Sequence, residues 1–130
     1  MKKIIVICLF LGFISCNSQE KKETSFVNVS VEEFQKLIST KGAQLVDVRT
    51  SRAYKKGHIK NALLIDYMSS DFKTKAFKGI DKSKPVLLYC TSGVLSARSA
   101  KMYKKAGFEK VYNLLGGFNA WSAKKLKIEK

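Results

Sequence analysis

The chain has 130 residues, of which 45% are hydrophobic and one is proline, so it has room for one globular domain and is not a disordered or fibrous chain. Its formal net charge is +15, and only three of its cations are arginine, which favours a solvated basic surface over a reader of nucleic acid. Three cysteines are too few for a fold built on disulfides.

The amino terminus carries a predicted export signal. Lys2 and Lys3 precede an apolar run over residues 4–14, shorter than the roughly 20 residues that cross a bilayer. A basic start, a short apolar run and then small residues are typical of a secretory signal peptide. The run ends in Phe13-Ile14-Ser15-Cys16, which resembles a bacterial lipobox. The resemblance implies a signal peptide over residues 1–15 and a lipid anchor on Cys16. The alternative is an ordinary signal peptide in which Cys16 is incidental.

A flexible tether is predicted over residues 16–26, because residues 17–25 contain no strong apolar side chain. A single domain then fills residues 27–130. The expected location is the bacterial cell envelope, with the lipid on the periplasmic face or in the outer membrane. Cys8 would leave with the signal, so Cys90 would be the only free thiol. Such a thiol is either buried and inert, or kept for its reactivity.

Predicted helices and strands alternate along the domain, which starts near residues 26–29. A capping box of Ser30 and Glu33, followed by apolar residues at helical spacing, predicts a helix over Val31–Ser39. The later elements, in chain order, are a strand over Ala43–Val48, a short apolar run over Ala62–Ile65, a helix over Phe72–Phe77 capped by Ser70-Asp71, a strand over Pro85–Tyr89, a helix between Gly93 and Gly107, a strand over Val111–Leu114 and a helix over Gly117–Lys125. This alternation predicts an α/β fold with a mainly parallel sheet.

The segment from Cys90 to Ser96 lies between the most apolar strand and a helix, at a strand end where α/β proteins bind ligands. Gly93 permits a sharp turn there, in which successive N–H groups can point inward around an anion. A thiol in that nest would ionise readily, and hydroxyls of Thr91, Ser92 and Ser96 could add donors. The alternative is a buried structural cysteine.

This loop resembles the active-site loop of rhodanese-like sulfurtransferases. The similarity spans about residues 28–125 and is carried by Asp47-Val48-Arg49, Tyr54, Gly57-His58-Ile59, Ala62, Leu88-Tyr89-Cys90 with Gly93 and Ser96, Gly107-Phe108, and Leu115-Gly116-Gly117-Phe118-Asn119-Ala120-Trp121. It implies a three-layer fold with a central, mainly parallel sheet between helices. It also implies that Cys90 takes a sulfane sulfur, becomes a persulfide and passes the sulfur on, with no cofactor or metal.

The partners that the resemblance implies are a small sulfur donor (thiosulfate, a persulfide or a polysulfide) and a thiol or cyanide-like acceptor. The substrate-binding loop would consist of Thr91, Ser92, Gly93, Val94, Leu95 and Ser96. Nucleic acid is not an expected partner, and the oligomeric state stays open.

Two departures from the family pattern bear on this reading. Leu95 stands where many relatives carry a cation that would hold an oxyanion such as thiosulfate, so the donor is open. Arg52-Ala53 replaces a common acidic pair, which leaves Arg49 without its usual partner.

Three further residues are predicted to support the site. His58 is the only histidine. A catalytic Cys–His pair is one reading of it, but a structural hydrogen-bonding role is expected, because the family places this residue in a turn and its chemistry needs no such base. Asp47 and Arg49 could tune the loop electrostatically or form a structural pair. Phe118 and Trp121 are predicted core anchors of the last helix.

Two other functions compete with sulfur transfer. A cysteine phosphatase would need an arginine six residues after Cys90, where this chain has Ser96, so that function is disfavoured. A non-catalytic rhodanese-like binding or sulfur-carrier module in the envelope is the main alternative. Retention of Cys90 argues against it, whereas Leu95 leaves room for a protein-bound donor.

Overall fold

The structure is a computed structural model that describes residues 25–130. Its strands are β1 (Val27–Val29), β2 (Gln44–Asp47), β3 (His58–Ile59), β4 (Leu63–Leu64), β5 (Val86–Tyr89), β6 (Val111–Leu114) and β7 (Ile128–Glu129). Its helices are α1 (Val31–Ile38), α2 (Ser51–Lys56), α3 (Phe72–Lys78), α4 (Val94–Lys105) and α5 (Gly117–Ala123).

The central sheet contains five strands in the order β1-β6-β5-β2-β4, and every neighbouring pair is parallel. Strand β5 lies in the middle, and all four of its residues are buried because helices cover both faces of the sheet. Parallel strands end at the same edge, so the loop after β5 lies beside the loops after β2 and β6. The predicted α/β class with a mainly parallel sheet is confirmed.

Two hydrophobic clusters fill the spaces between the sheet and its helices. On one face, α3 and α4 pack Phe72 and Tyr103 against the sheet, and Phe108 joins them at a ring distance of 4.8 Å from Tyr103. On the other face, α1 and α5 contribute Phe34 and Trp121, whose rings meet edge to face at 6.5 Å. The resulting helix–sheet–helix layers hold β5, and therefore Cys90, rigidly in the centre.

Four short elements, β1, α2, β3 and β7, were not predicted from the sequence, and β1 has only three residues at the place where the domain was expected to start. Helix α2 has six residues and buries none of them, so it leaves no apolar periodicity; Thr50 caps it by accepting the Ala53 N–H at 3.2 Å. Strands β3 and β7 have two residues each and pair with each other across most of the domain, a pairing that local pattern cannot reveal.

Two predicted details are corrected. The last helix ends at Ala123 and not at Lys125. Helix α3 begins where expected, but the Asp71 side chain does not cap it. That carboxylate accepts the Ser69 hydroxyl and pairs with Lys75 on the helix surface instead.

The predicted signal peptide, Cys16 and all but the last two residues of the predicted tether lie outside the described residues. Within residues 25–130, no helix combines the length and the apolar character that crossing a bilayer requires.

Candidate active site

Cys90 follows the last residue of β5 and is 3% exposed. Three groups donate hydrogen bonds to its Sγ: the Gly93 N–H at 3.1 Å, the Ser96 N–H at 3.4 Å and the Ser96 hydroxyl at 3.3 Å. The sulfur therefore lies in a cradle formed by the turn and by the first turn of α4. Such a cradle favours an anion at this position.

These contacts set the ionisation of the thiol. Burial by itself raises the pKa of Cys90, because it disfavours the charged form. The hydrogen bonds from the Ser96 hydroxyl and from the N–H groups of Ser96 and Gly93 outweigh that effect and hold the pKa below its ordinary value. Cys90 is therefore a buried thiol that is prepared to react as a thiolate.

The first turn of α5 donates hydrogen bonds to the backbone of the loop that begins at Cys90. The Phe118 N–H donates to the Cys90 carbonyl at 2.7 Å, and the Asn119 N–H donates to the Thr91 carbonyl at 3.1 Å. Gly117 makes this approach possible, because a Cβ there would lie 2.3 Å from the Cys90 carbonyl oxygen. Gly93 turns the chain with φ +96°, in the left-handed region that favours glycine. The shape of the loop is thus determined by backbone contacts.

The remaining loop residues differ from one another in exposure. Thr91, Ser92 and Val94 are exposed, and of the three predicted hydroxyl donors only Ser96 places its hydroxyl on the sulfur. Leu95 is half-buried and packs against the cluster between the sheet and α3–α4. A cation at this position would have to leave that apolar contact to reach a bound anion.

Asp47 and Arg49 form a buried pair at the end of β2, next to β5. The Arg49 guanidinium donates to the Asp47 carboxylate at 2.7 and 3.0 Å and to the Gly57 carbonyl at 2.7 Å. Its planar group also lies 4.2 Å from the centroid of the Phe118 ring. Arg49 therefore has Asp47 as its partner in place of the family's usual acidic pair, which is the structural pairing that the sequence offered as one of two roles. Phe118 therefore contacts the Arg49 guanidinium in addition to packing against the core.

His58 takes part in a local turn structure. Its ring stacks on Tyr54 at 3.7 Å, Nδ1 lies 3.0 Å from the Tyr54 carbonyl oxygen, and Nε2 lies 3.5 Å from Glu129. In residues 25–130, all of its polar contacts are with these two residues. This geometry corresponds to the structural role and not to a base beside Cys90.

Sequence reasoning missed two residues of the site. Tyr89 lies directly before Cys90, and its hydroxyl accepts the Ile59 N–H at 3.0 Å, which ties β5 to the turn that contains His58. Asn113 on β6 donates its side-chain amide to the Gly93 carbonyl at 3.2 Å. Asn113 was detectable as a polar residue in an apolar strand, although nothing in the sequence links it to the loop.

Within the part of the chain that the structure describes, no group of three or more His, Cys, Asp or Glu side chains could hold a metal ion. The chemistry available at this site is that of one activated sulfur in a nest of neutral donors.

Comparison with known proteins identifies the class to which this fold and site belong. Residues 30–124 match the rhodanese-like domain family, and the chain belongs to that family. It is 35% identical over 99 residues to the thiosulfate sulfurtransferase GlpE of Coxiella burnetii, covering 75% of this chain and 89% of the relative. The corresponding protein of Actinobacillus pleuropneumoniae is 30% identical over 105 residues, covering 81% and 94%.

A solved structure of the same family has a similar fold. The rhodanese-like domain protein of Staphylococcus aureus superposes with a TM-score of 0.67 at 29% identity, over 81% of this chain and all of that one. The chain is accordingly an enzyme, a rhodanese-type sulfurtransferase.

Proposed function

We propose that Cys90 carries sulfane sulfur as a persulfide between a small donor and a thiol or cyanide-like acceptor. The observation that carries the proposal is the set of donors around Sγ, from Gly93 at 3.1 Å and from Ser96 at 3.4 and 3.3 Å. They stabilise a thiolate before the reaction and an anionic persulfide after the first step.

The two half-reactions balance without a redox partner. In the first, the Cys90 thiolate attacks the outer sulfur of the donor; a new S–S bond forms, the donor's own S–S bond breaks, and the electron pair leaves with sulfite or a thiolate. In the second, the acceptor thiolate attacks the terminal sulfur of the persulfide, and the Cys90 thiolate leaves. Each step returns the charge at Cys90 to one negative unit.

Leu95 directs the choice of donor. The curated relatives are named for thiosulfate, a dianion. Here the residue in the family's cation position is half-buried against the core and contributes no charge. A persulfide or polysulfide, which is less dependent on a fixed cation, is therefore the favoured donor.

Mass spectrometry of the Cys90 peptide tests this function. The purified chain is exposed to thiosulfate or to a low-molecular-weight persulfide, and Cys90→Ser is the control. We expect one added sulfur atom on Cys90, more with the persulfide than with thiosulfate, and release of that sulfur to a thiol. Cys90→Ser should keep the fold and lose all transfer. An unmodified Cys90 under both conditions would contradict the proposal and favour a non-catalytic module.

We also propose that the mature protein is a lipoprotein of the bacterial envelope, anchored through Cys16. The basic and apolar segments before Cys16 support this. The described chain begins at Ser25, beside the amino end of β1, and β1 runs parallel to β5. Cys90 follows the opposite end of β5, so the point where the predicted tether joins the domain and the loop after β5 lie at opposite edges of the sheet.

Metabolic labelling with an alkyne fatty acid tests the anchor. We expect label in the parent chain and in Cys8→Ala, and none in Cys16→Ala. Label retained by Cys16→Ala would contradict the assignment of the anchor.

A further inference from the structure

Asn113 is a buried polar side chain below the active-site loop, and the two half-reactions do not use it. It is 2% exposed. Its Nδ2 donates to Asn28 Oδ1 on β1 at 2.9 Å and to the Gly93 carbonyl oxygen at 3.2 Å. The two asparagines are partners in the parallel register of β1 and β6. Through this amide, the edge of the sheet is connected to the loop around Cys90.

The burial of the Asn113 amide lowers the stability of the domain and is not explained by packing. Within residues 25–130, the buried Oδ1 of Asn113 has no hydrogen-bond partner. An apolar side chain of similar size would avoid that desolvation cost. The amide cannot turn around, because Oδ1 would then face the Gly93 carbonyl oxygen, which is also an acceptor. The geometry therefore points to a role in holding Gly93 and not to a contribution from burial.

Gly93 connects this contact to the sulfur. Its N–H donates to Cys90 Sγ at 3.1 Å, while its carbonyl accepts from Asn113. The same carbonyl accepts the Ala97 N–H at 3.2 Å and so begins α4, the helix that carries Ser96. A glycine has no side chain of its own to hold its dihedral angles. A displacement of its carbonyl would therefore move both sets of donors that face the sulfur.

We propose that Asn113 is a positioning residue whose amide holds the Gly93 carbonyl so that the Gly93 N–H and the first turn of α4 point at Cys90. Asn28 in turn orients the amide of Asn113. This role rests on the Cys90 anion of the proposed function, although it concerns the ionisation of the sulfur whichever donor and acceptor are used. The donors that face the sulfur are neutral, and the buried charges of Asp47 at the end of β2 and of Arg49 just after it pair with each other.

The test is the apparent pKa of Cys90 in Asn113→Leu, a substitution that keeps the number and branching of the side-chain heavy atoms and removes both hydrogen bonds. The rate of alkylation by iodoacetamide is followed across pH on the Cys90 peptide, so that other cysteines do not contribute. We expect the pKa of Cys90 to rise, so that the alkylation rate at lower pH falls by roughly threefold or more. The alkylation rate at high pH should equal that of the parent.

Two further variants separate positioning from stability. Val111 lies on the same face of β6 as Asn113, two residues earlier, and is part of the core. Val111→Ala opens a cavity there without touching the loop, so it should lower the melting temperature and leave the pKa of Cys90 unchanged. Asn28→Ala changes an exposed residue and should raise the pKa by less than Asn113→Leu.

A folded Asn113→Leu with the parent's pKa, or a Val111→Ala that raises the pKa equally, would overturn the proposal. If Asn113→Leu does not fold, Asn28→Ala becomes the test, and an unchanged pKa of Cys90 in that variant would overturn the proposal. A raised pKa in a protein that forms no persulfide would support the positioning role while contradicting sulfur transfer.

Discussion

Gly117 lies so close to the Cys90 carbonyl that a single methyl group could not be placed between them. A Cβ at Gly117 would be 2.3 Å from the Cys90 carbonyl oxygen and 2.7 Å from the Thr91 carbonyl oxygen. Both oxygens are backbone atoms, so neither can move without moving the loop that begins at Cys90. The loop and the start of α5 therefore form one unit, which is why the Gly-Gly motif and the cysteine, far apart in the chain, belong to the same site.

Gly117→Ala is expected to destabilise the domain by at least about 3 kcal/mol and to disturb Cys90. The left-handed backbone, φ +57°, costs about 1–2 kcal/mol with any side chain, and the clash adds a backbone displacement. Gly107→Ala is the matched control, since Gly107 also has a positive φ but a Cβ there meets nothing within 4 Å. Denaturant unfolding of both variants measures the difference. Equal destabilisation would mean that the contact with Cys90 is unimportant.

Ser96→Ala is expected to raise the pKa of Cys90, because it removes the hydroxyl that donates to Sγ at 3.3 Å and helps to keep that pKa low. The reactive form is the thiolate, which predominates above the pKa. The rise of activity with pH should therefore move to higher pH, with little loss on the alkaline side. Ser99→Ala, which removes a buried hydroxyl bonded to the Leu95 carbonyl, should leave the pH profile where it is. A profile for Ser96→Ala that matches the parent would exclude this hydroxyl from the activation of Cys90.

Leu95→Arg is expected to raise kcat/KM for thiosulfate by roughly ten- to a hundredfold, because a well-placed charged hydrogen bond contributes about 1.5–3 kcal/mol. The gain is smaller where solvent screens the cation. The persulfide reaction should change little. Leu95→Met keeps the apolar contact with the core and serves as the control. Efficient use of thiosulfate by the parent, with no gain in Leu95→Arg, would contradict the role assigned to this position.

Asp47→Asn is expected to destabilise the domain by about 3 kcal/mol, since it leaves the buried Arg49 guanidinium without its counter-charge. Thermal unfolding should show a melting temperature lower by more than about 10 °C. Lys84→Met removes one partner of an exposed pair, 3.8 Å from Asp81, and should leave the melting temperature near that of the parent. If the two variants unfold alike, the buried pair contributes no more than a surface one.

Most of the regular structure could be predicted from local pattern. The cap at Ser30, which accepts the Glu33 N–H at 3.2 Å, and the strand over Val111–Leu114 were confirmed, because a cap and a run of strand-forming residues act within a few residues of the chain. Helix α2 and the β3–β7 pair were not predictable, because their stability depends on tertiary contacts: Tyr54 stacks on His58, and β7 returns from the end of the chain to pair with β3.

The candidate site also combines features that local sequence predicts with features that depend on tertiary contacts. The position of Cys90 at the end of the most apolar strand and the turn at Gly93 could be predicted, since both follow from residue type and order. The contacts of the sulfur and of the loop depend on tertiary packing. Of three hydroxyls only Ser96 reaches Sγ, Arg49 finds Asp47, and Asn113 connects β1 to Gly93. These contacts join residues on different elements, and their distances depend on how the layers pack, which no local pattern specifies.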